Sequence, residues 1–276
     1  MTDADRVATD DLGTEVAVPA AVPRRVVSLV PNLTETLWWW GLADRVVART
    51  SYCTAPPQGF PHAVTVRGTK NPDVRAIVAL APDLVIANEE ENRPLDVQRL
   101  RDAGVAVWVT RVRTLTDARA TFEALGAVLG VPAAGRDLAT ALARVDASRR
   151  RTTALDVAVP IWRGLPAASG RSDDDGWMAV GPQTVSADVL AAAGLRVWPA
   201  EGRYPQLDRS QLVAADLAAV LLTDEPYPFT AQDVADLPGH RVRHVDGTGL
   251  FWWGPRTPTV VGDLRRLART LRRRRR

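Results

Sequence analysis

The middle of the chain, residues 114–152, reads TLTDARATFEALGAVLGVPAAGRDLATALARVDASRRRT and decides the architecture. Apolar residues recur at three- and four-residue spacing over Leu115–Leu129 and again over Leu138–Val145, which is typical of two amphipathic helices. Between them, Gly130 predicts the end of the first helix and Pro132 the start of the second. The stretch is therefore predicted to be two consecutive helices.

The second of these helices is long. It is predicted to run from Ala133 to about Arg151, and at 1.5 Å per residue it would span roughly 28 Å, about the width of a small domain. That length favours a connector between two lobes over a crossover within one. The chain is therefore predicted to divide into a disordered N-terminal arm (1–23), an α/β lobe (24–113), a helical connector with an interlobe backbone helix (114–152), a second α/β lobe (153–270) and an arginine-rich tail (271–276).

Composition agrees with two globular lobes. The chain has 276 residues, of which 46% are apolar, so it can bury two ordinary cores. Its formal charge of +3 is smaller than the charge of the terminal run Arg272–Arg276, so the body is near neutral and no nucleic-acid partner is expected. The run itself is predicted to be a solvated tail, with RNA or an anionic surface as the alternative. The single cysteine, Cys53, excludes an internal disulfide.

The first residues bear on location. Residues 1–13 are polar and acidic and the proline-spaced segment AVPAAVP (17–23) ends the stretch, which predicts a disordered arm over residues 1–23. They lack the apolar core of a secretory signal, and no later stretch is apolar enough to span a membrane. As written, the protein is expected to be cytoplasmic. It would be extracytoplasmic if the start is misassigned.

Strand and helix patterns alternate on both sides of the connector. The apolar run at 25–30 is typical of a strand buried on both faces of a parallel sheet, and βαβ alternation follows it. A shift of 135 residues aligns Asp73 with Asp208 and Val85 with Val220. The sequence predicts an α/β fold of two similar lobes, each with a mainly parallel sheet flanked by helices, joined by the long helix. In the second lobe it predicts strands at 156–161, 196–198, 219–222 and 241–245 and helices at 184–193, 208–215, 230–236 and from Arg256 onward.

Nine short segments spread over residues 24–270 form a recognisable set. In the first half they are RVVSLVPNLTETL (25–37), TSYCTAPP (50–57), GTKNPD (68–73) and LAPDLVIA (80–87). In the second half they are IWR (161–163), WMAVG (177–181), RYPQ (203–206), DEPYPF (224–229) and FWWGPRT (251–257). Together they resemble the helical-backbone (class III) substrate-binding proteins of ABC importers, and most of all the cobalamin-binding branch.

That resemblance implies two lobes that hold one ligand in the cleft between them. In the nearest branch the ligand is a corrinoid such as cobalamin, and in others it is a haem, a metal-siderophore or a bare metal. The resemblance implies a non-catalytic protein with no intrinsic cofactor, expected to be a monomer, whose partners are a small-molecule ligand and an ABC permease. Members that dock on a permease commonly carry an exposed glutamate on the equivalent helix of each lobe; here those positions hold Arg75 and Ser210.

Catalytic patterns are absent from the sequence. No nucleophile elbow, phosphate-binding loop or dinucleotide fingerprint follows a predicted strand, so no enzyme is expected. The alternatives left open are an importer component for a siderophore, haem or metal, and a cytoplasmic tetrapyrrole-handling enzyme on a similar scaffold.

Candidate ligand contacts follow from a rule for parallel sheets, in which ligands lie beyond the carboxyl ends of the strands. Many residues at the predicted ends are aromatic, which suits the broad apolar faces of a planar macrocycle. The resemblance places Tyr52 in the family's ligand-facing turn, and Arg203 and Arg256 are available for acidic or amide groups. Cys53 is also compatible with a small buried residue. The predicted contacts are Asn32, Tyr52, Cys53, Thr69, Glu89, Trp162, Trp177, Arg203, Tyr204, Glu225, Pro226, Trp252, Trp253 and Arg256.

A direct metal site is not expected. His240 and His244 bracket a predicted strand, where positions four apart are separated by roughly 13 Å, too far for one ion. The third histidine, His62, is distant in sequence. The acidic turn Asp173–Asp175 is predicted to be solvated, with a bound cation as the alternative. The consecutive Trp38–Trp40 cannot share one helix face and are expected to be packing or surface residues.

Overall fold

The computed structural model describes residues 6–149, 153–166, 170, 175–237, 239 and 241–273, which form two compact units. The first unit contains the residues up to Val112 together with Thr116–Thr140. The second contains Arg113–Leu115 and the residues from Ala141 onward. Within the described ranges, no helix is both long enough and apolar enough to cross a membrane.

The first unit is built on a five-stranded parallel sheet of order β5-β4-β3-β8-β9. Strand β8, between β3 and β9, is buried along its whole length, and Ile77 and Leu100 from the flanking helices complete the core. The elements in chain order are β1 Arg6–Thr9, β2 Glu15–Val18, β3 Val26–Ser28, α1 Pro31–Trp39, a 3₁₀ turn Ala43–Arg45, β4 Val46–Arg49, β5 Val64–Thr65, β6 Arg67–Gly68, β7 Asn71–Pro72, α2 Val74–Ala79, β8 Leu84–Asn88, α3 Pro94–Asp102, β9 Val107–Thr110, α4 Leu115–Val128 and α5 Pro132–Ala147.

The second unit has two sheets. A parallel sheet of order β13-β10-β15-β16 forms its core. The other sheet is antiparallel, of order β11-β12-β14, and its strands lie between β10 and β15 in the chain. The second sheet was not predicted, because β14 has only three residues and the register of β11 is irregular around Gly164. The elements are β10 Leu155–Ala158, β11 Pro160–Pro166, β12 Asp175–Ala179, α6 Val185–Ala192, β13 Leu195–Val197, β14 Gln206–Asp208, α7 Arg209–Ala214, β15 Ala219–Thr223, α8 Ala231–Ala235, β16 Val242–Val245, α9 Gly247–Phe251 and α10 Thr257–Arg273.

The internal repeat is confirmed in the structure. The bounds of α2, β8 and β9 become those of α7, β15 and β16 when 135 is added to each residue number. The strand register repeats as well, since Val85 pairs with Val107 and Val220 pairs with Val242. The helix starts also match, because Asp73 caps α2 and its equivalent Asp208 forms a capping box on α7. The equivalence of Arg75 on α2 with Ser210 on α7 follows from the same shift, and both side chains are exposed.

The N-terminal segment forms a β-hairpin, so the predicted disordered arm is wrong for residues 6–18. Strands β1 and β2 pair antiparallel, and Val16 and Val18 are buried. The carboxylate of the buried Asp10 accepts hydrogen bonds from the backbone N–H of Val109 (3.3 Å) and from Arg101 (3.0 Å). These bonds fix the hairpin beside the edge strand β9 and satisfy part of its open edge. Residues 1–5 lie outside the described residues.

The two helices predicted for the middle of the chain are confirmed as α4 and α5. They approach closely at two glycines: a Cβ added to Gly135 would lie 2.5 Å from the carbonyl oxygen of Phe122, and one added to Gly126 would lie 2.9 Å from the Cα of Gly135. Helix α5 ends at Ala147, earlier than predicted, and residues 150–152 lie outside the described part. The boundary between the two units falls within α5, after Thr140. Its role as an interlobe backbone remains a prediction.

The predicted solvated tail is helical where the structure describes it. Helix α10 continues to Arg273, and Leu271 is fully buried. Arg272 donates hydrogen bonds to the carbonyl oxygens of Thr153 (2.7 Å) and Gly194 (3.2 Å). The tail prediction is therefore wrong for residues 271–273, while residues 274–276 lie outside the described residues.

Candidate functional site

In the first unit, the turn after β4 displays Tyr52. Its side chain is 63% exposed. The ring lies against Gly68 of β6, where an added Cβ would be 3.1 Å from Cε2 of the tyrosine. The backbone N–H of Ser51 donates to the carbonyl oxygen of Arg67 (2.7 Å), which holds the turn on this strand. Tyr52 is thus an exposed aromatic side chain on a fixed backbone.

Cys53 lies beneath this turn, with 1% of its surface exposed. Its sulfur accepts a hydrogen bond from the hydroxyl of Thr34 (3.1 Å) and shares another with that of Thr50 (3.2 Å). Burial raises the pKa of the Cys53 thiol. The thiol offers almost no accessible surface in this structure and supports the turn, so the ligand contact by Cys53 remains a prediction.

A buried amide network joins the carboxyl ends of several strands in the first unit. The side-chain amide of Asn88 donates to the hydroxyl (3.0 Å) and carbonyl (3.2 Å) oxygens of Thr110. The side-chain oxygen of Asn92 accepts from the backbone N–H of Asn88 (2.9 Å), and its amide donates to the carbonyl oxygen of Thr69 (2.9 Å). Sequence reasoning missed Asn92, although its position four residues after Asn88, at the end of a buried strand, is a visible signal. The network fixes the loops at the strand ends, where a ligand is predicted to bind.

Three predicted contacts of the first unit lie at this edge with little or moderate exposure. Asn32, in the first turn of α1, is 6% exposed, and Thr69 is 7% exposed. Glu89 is half-buried, and its backbone N–H donates to the carbonyl oxygen of Thr110. Among the predicted contacts of this unit, Tyr52 has by far the largest accessible surface.

In the second unit, four aromatic side chains form a continuous series, here termed the aromatic ladder: Trp162, Tyr227, Phe229 and Trp177. The Trp162 and Tyr227 ring centroids are 5.4 Å apart in an edge arrangement, and those of Tyr227 and Phe229 are 4.8 Å apart. Phe229 stacks on Trp177 at 5.7 Å. Trp162 is 47% exposed, whereas Trp177 is fully buried. One tryptophan of the ladder is therefore exposed to solvent, and the other is buried in the core.

The buried end of the ladder is held by Arg163. Its guanidinium lies 4.8 Å from the ring centroid of Trp177 and donates to Asp175 (2.5 Å), Asp233 (2.6 Å) and Asp236 (2.8 Å). Burial opposes ionisation of Asp233, but hydrogen bonds from Arg163 and Thr230 outweigh it and hold the pKa of that carboxyl below its usual value. The hydrogen bond from Arg163 also lowers the pKa of Asp236.

The remaining predicted contacts of the second unit divide by exposure. Trp177 belongs to the apolar core of the second unit, and Trp252 and Trp253 are also buried; the ligand contacts of all three remain predictions. Tyr204 is 40% exposed, with the guanidinium of Arg203 5.7 Å from its ring centroid. Tyr227 was missed, although its alternation with Phe229 signals two aromatic side chains on one side of an extended segment. The other predicted contacts are the half-buried Glu225 and Arg256 and the exposed Pro226.

The candidate cation ligands give no cluster. His62 and His244 are exposed, and His240 lies outside the described residues. Of the acidic turn, Asp175 pairs with Arg163, while Asp173 and Asp174 lie outside the described residues. In the described ranges, no three His, Cys, Asp or Glu side chains come together as metal ligands would.

Comparison with known proteins gives a family and several relatives. A family model described as "Periplasmic binding protein" matches residues 26–241. The vitamin B12-binding protein of Vibrio cholerae serotype O1 is 31% identical over 115 residues, 42% of this chain and 41% of that protein. The cobalamin-binding protein of Halobacterium salinarum is 32% identical over 202 residues, 70% of this chain and 52% of that protein. The chain thus spans between two fifths and about half of the length of these curated relatives.

Solved structures share the fold. The periplasmic vitamin B12 binding protein of Vibrio cholerae superposes with a TM-score of 0.74 at 20% identity, covering 91% of this chain and 98% of that chain. A periplasmic heme-binding protein from Roseiflexus sp. RS-1 in apo form gives a TM-score of 0.72 at 24% identity, covering 90% and 98%. These likenesses confirm the predicted α/β fold class.

The predicted cytoplasmic location is wrong. The family model that matches residues 26–241 is described as "Periplasmic binding protein". A relative in Bacillus subtilis, 31% identical over 123 residues (44% of this chain and 38% of that protein), is described as an ABC transporter substrate-binding lipoprotein. The prediction rested on the absence of a recognisable secretory signal and of a membrane-spanning stretch, which carries less weight than a family match over residues 26–241.

Proposed function

Because the chain belongs to the periplasmic binding protein family, we propose that it is a non-catalytic solute-binding protein whose ligand is a corrinoid such as cobalamin. The observation that supports this best is the display of Tyr52 and Trp162. Each is a large aromatic side chain, about half or more exposed, at or near the carboxyl ends of the parallel strands of its own unit. Large exposed aromatics on rigid supports suit stacking on a flat ligand at a low entropic cost.

The support under each aromatic favours binding without rearrangement. Tyr52 rests on Gly68 and precedes the hydrogen-bonded Cys53 in the turn, and Trp162 packs on Tyr227 of the aromatic ladder. A preorganised contact loses little conformational freedom when the ligand arrives, so more of its interaction free energy appears as affinity. Arg203, beside the half-exposed Tyr204, supplies a donor for the amide groups at the rim of a corrin ring.

The two cobalamin-binding relatives support the corrinoid over other metal chelates. They are the vitamin B12-binding and cobalamin-binding proteins with 31% and 32% identity to this chain. The coverage of these relatives is partial, so the ligand itself has to be tested. We propose cobalamin as the first ligand to test and haem as the second.

The binding experiment is equilibrium dialysis of the full chain against cobalamin, read by the visible absorbance of the corrin. We expect a Kd well below about 100 µM, which corresponds to roughly −5.5 kcal/mol. Trp162→Ala and Tyr52→Ala should each weaken binding by about 1–2 kcal/mol, roughly 5- to 30-fold, because each removes one stacking face. The matched control is Trp39→Ala, which removes a 57% exposed tryptophan from α1. No binding at about 100 µM, or equal weakening by all three variants, would contradict the proposal.

Haem is the second candidate, and the exposed phenol of Tyr52 is the observation that favours it. A tyrosine oxygen is one of the axial ligands that proteins offer to haem iron. Tyr52→Phe keeps the stacking face and removes the oxygen, so it separates the two ligands. A haem-binding protein would lose its Soret shift in Tyr52→Phe, whereas a corrinoid-binding protein would retain its affinity.

We propose that the partner of the loaded protein is an ABC permease. The exposed positions at which related importer proteins commonly carry glutamate hold Arg75 and Ser210 here. An arginine repels a basic surface, so the permease should present an acidic or neutral group opposite Arg75. Arg75→Glu should then weaken docking on the cognate permease in a pull-down while cobalamin binding is unchanged.

A further inference from the structure

Helix α10 ends in a concentration of positive charge that the binding function does not use. Residues 264–276 contain eight arginines and no acidic residue. The net charge of the whole chain is +3, so the rest of the chain carries −5 once these eight are set aside. Residues 264–276 are therefore strongly basic, whereas the rest of the chain is net negative.

The helix is a fixed platform for this charge. Leu264, Ala268 and Leu271 are buried along one side of α10. On the same helix, Arg265 donates to the carbonyl oxygens of Ser148 (3.0 Å) and Ala192 (2.9 Å). The orientation of the helix on the second unit is thereby set by apolar packing and by backbone hydrogen bonds.

The opposite side of α10 carries an exposed stripe, Arg266, Arg269 and Arg273, at spacings of three and four residues. Such spacing places the three guanidinium groups on one helix face. Arg266 also pairs with Asp263 at the edge of the stripe. We name Arg266, Arg269 and Arg273 the arginine stripe.

We infer that the arginine stripe is an electrostatic contact site for an anionic phospholipid membrane surface. Each arginine near such a surface is attracted to it electrostatically, and a cluster of arginines is typical of segments that bind anionic lipid. The acidic remainder is repelled by the same surface, so the protein would bind in one orientation, with the end of α10 toward the lipid.

Nucleic acid fits this face less well. Proteins that hold single strands combine arginines with aromatic side chains on which bases stack. The exposed residues of α10 are Pro258, Thr259, Asp263, Thr270 and the arginine stripe, with no aromatic group among them. Binding to a surface of lipid phosphates requires positive charge and no aromatic side chains.

The test is sedimentation of the full chain with vesicles of phosphatidylcholine containing about 30% phosphatidylglycerol, in about 50 mM salt. We expect the protein to sediment with these vesicles and not with pure phosphatidylcholine. Arg269→Gln/Arg273→Gln should lower the partition coefficient by about fivefold per arginine, or roughly 25-fold. Raising the salt to about 0.5 M should abolish sedimentation by the wild type.

The matched control is Arg93→Gln/Arg136→Gln, which removes the same charge from two exposed arginines of the first unit. It should reduce partitioning far less than the stripe variant. Both variants should retain the wild-type thermal midpoint and cobalamin affinity. A negative vesicle result would therefore leave the proposed cobalamin binding untouched. Equal effects of the two variants, sedimentation with neither lipid, or tight binding to single-stranded RNA without vesicle binding would overturn the inference.

Discussion

The ring of Trp177 stacks on the ring of Phe229, with centroids 5.7 Å apart and planes 11° from parallel. Trp177 is fully buried, and the guanidinium of Arg163 covers it at 4.8 Å. A tryptophan that the sequence places among the ligand contacts is thus a core residue, and the exposed Trp162 at the other end of the ladder depends on it indirectly.

Trp177→Ala should therefore act on stability first. We expect a loss of about 3–5 kcal/mol in the free energy of unfolding, because the substitution empties a large buried volume. Trp162→Ala, at the exposed end of the ladder, should cost less than about 1 kcal/mol while weakening ligand binding. Urea denaturation and equilibrium dialysis on both variants measure the two effects. The reverse pattern, with Trp162→Ala the more destabilising, would show that the ladder is not rooted at Trp177.

Arg163→Met should destabilise the second unit in a pH-dependent way. At pH 7 we expect a loss of about 3 kcal/mol, because three aspartates lose a partly buried partner. Asp233 and Asp236 have pKa values below the ordinary 3.8 in the folded state. Their contribution is thus complete above pH 3.8 and is lost as the pH falls through the lowered pKa values.

The measurement is the urea midpoint of both proteins at pH 7 and at about pH 2.5. The wild type should lose more stability between these two values than Arg163→Met does, so the gap between the proteins should narrow in acid. Arg196→Met is the control, because Arg196 forms an exposed ion pair with Asp156. It should change stability by less than about 1 kcal/mol at either pH. A gap that stays constant with pH would assign the effect of Arg163→Met to lost packing on Trp177.

Gly135→Ala should destabilise the first unit by about 1–3 kcal/mol. Alanine is the better helix former by up to about 1 kcal/mol, but the added Cβ would lie 2.5 Å from the carbonyl oxygen of Phe122 and would push α4 and α5 apart. Gly262→Ala, in α10, is the matched control, since its nearest neighbour is 3.9 Å away and belongs to the flexible end of Arg266. That substitution should stabilise by about 0.5–1 kcal/mol. Thermal unfolding should move the two variants in opposite directions.

Cys53 should resist alkylation in the folded protein. Its thiol is buried, and burial raises its pKa, so both access and the thiolate fraction are low. We expect labelling by a maleimide at pH 7 to follow unfolding in urea and to be negligible before it. Saturating ligand should leave the rate of maleimide labelling in native buffer unchanged. Fast labelling that the ligand suppresses would instead show that Cys53 lies at the binding surface.

Sequence periodicity predicts the parallel α/β cores well, because their strands are continuous apolar runs such as β8 and their helices begin at recognisable caps such as Asp73 and Asp208. The resemblance to the cobalamin-binding branch is likewise confirmed by the family match and the relatives. The β1–β2 hairpin escaped prediction because its stability comes from Asp10 bonding to groups about a hundred residues away, which no local pattern reveals.

The candidate site was predicted less well than the fold. The carboxyl-edge rule selects loops at the strand ends, but residue type alone could not separate the exposed Trp162 from the buried Trp177, fifteen residues later on the partner strand. Exposure depends on which face of an antiparallel pair a side chain occupies, and the irregular register between these strands shifts that face. The prediction for Tyr52 holds as far as its exposure; its contact with ligand remains a prediction.

Asp10→Ala should release the N-terminal hairpin from the edge of the first sheet. The substitution removes the acceptor for Val109 and for Arg101 and also the turn contacts with the backbone N–H groups of Leu12 and Thr14. We expect a loss of about 3 kcal/mol, because a buried carboxylate with several donors is lost and its partners remain. Hydrogen exchange at the amide of Val109 should accelerate more than exchange in β8, since β9 becomes an open edge. Asp137→Ala, on the exposed side of α5, should change neither stability nor exchange. Equal acceleration of amide exchange in β8 and β9 would mean that the hairpin stabilises the whole unit and not only the edge strand β9.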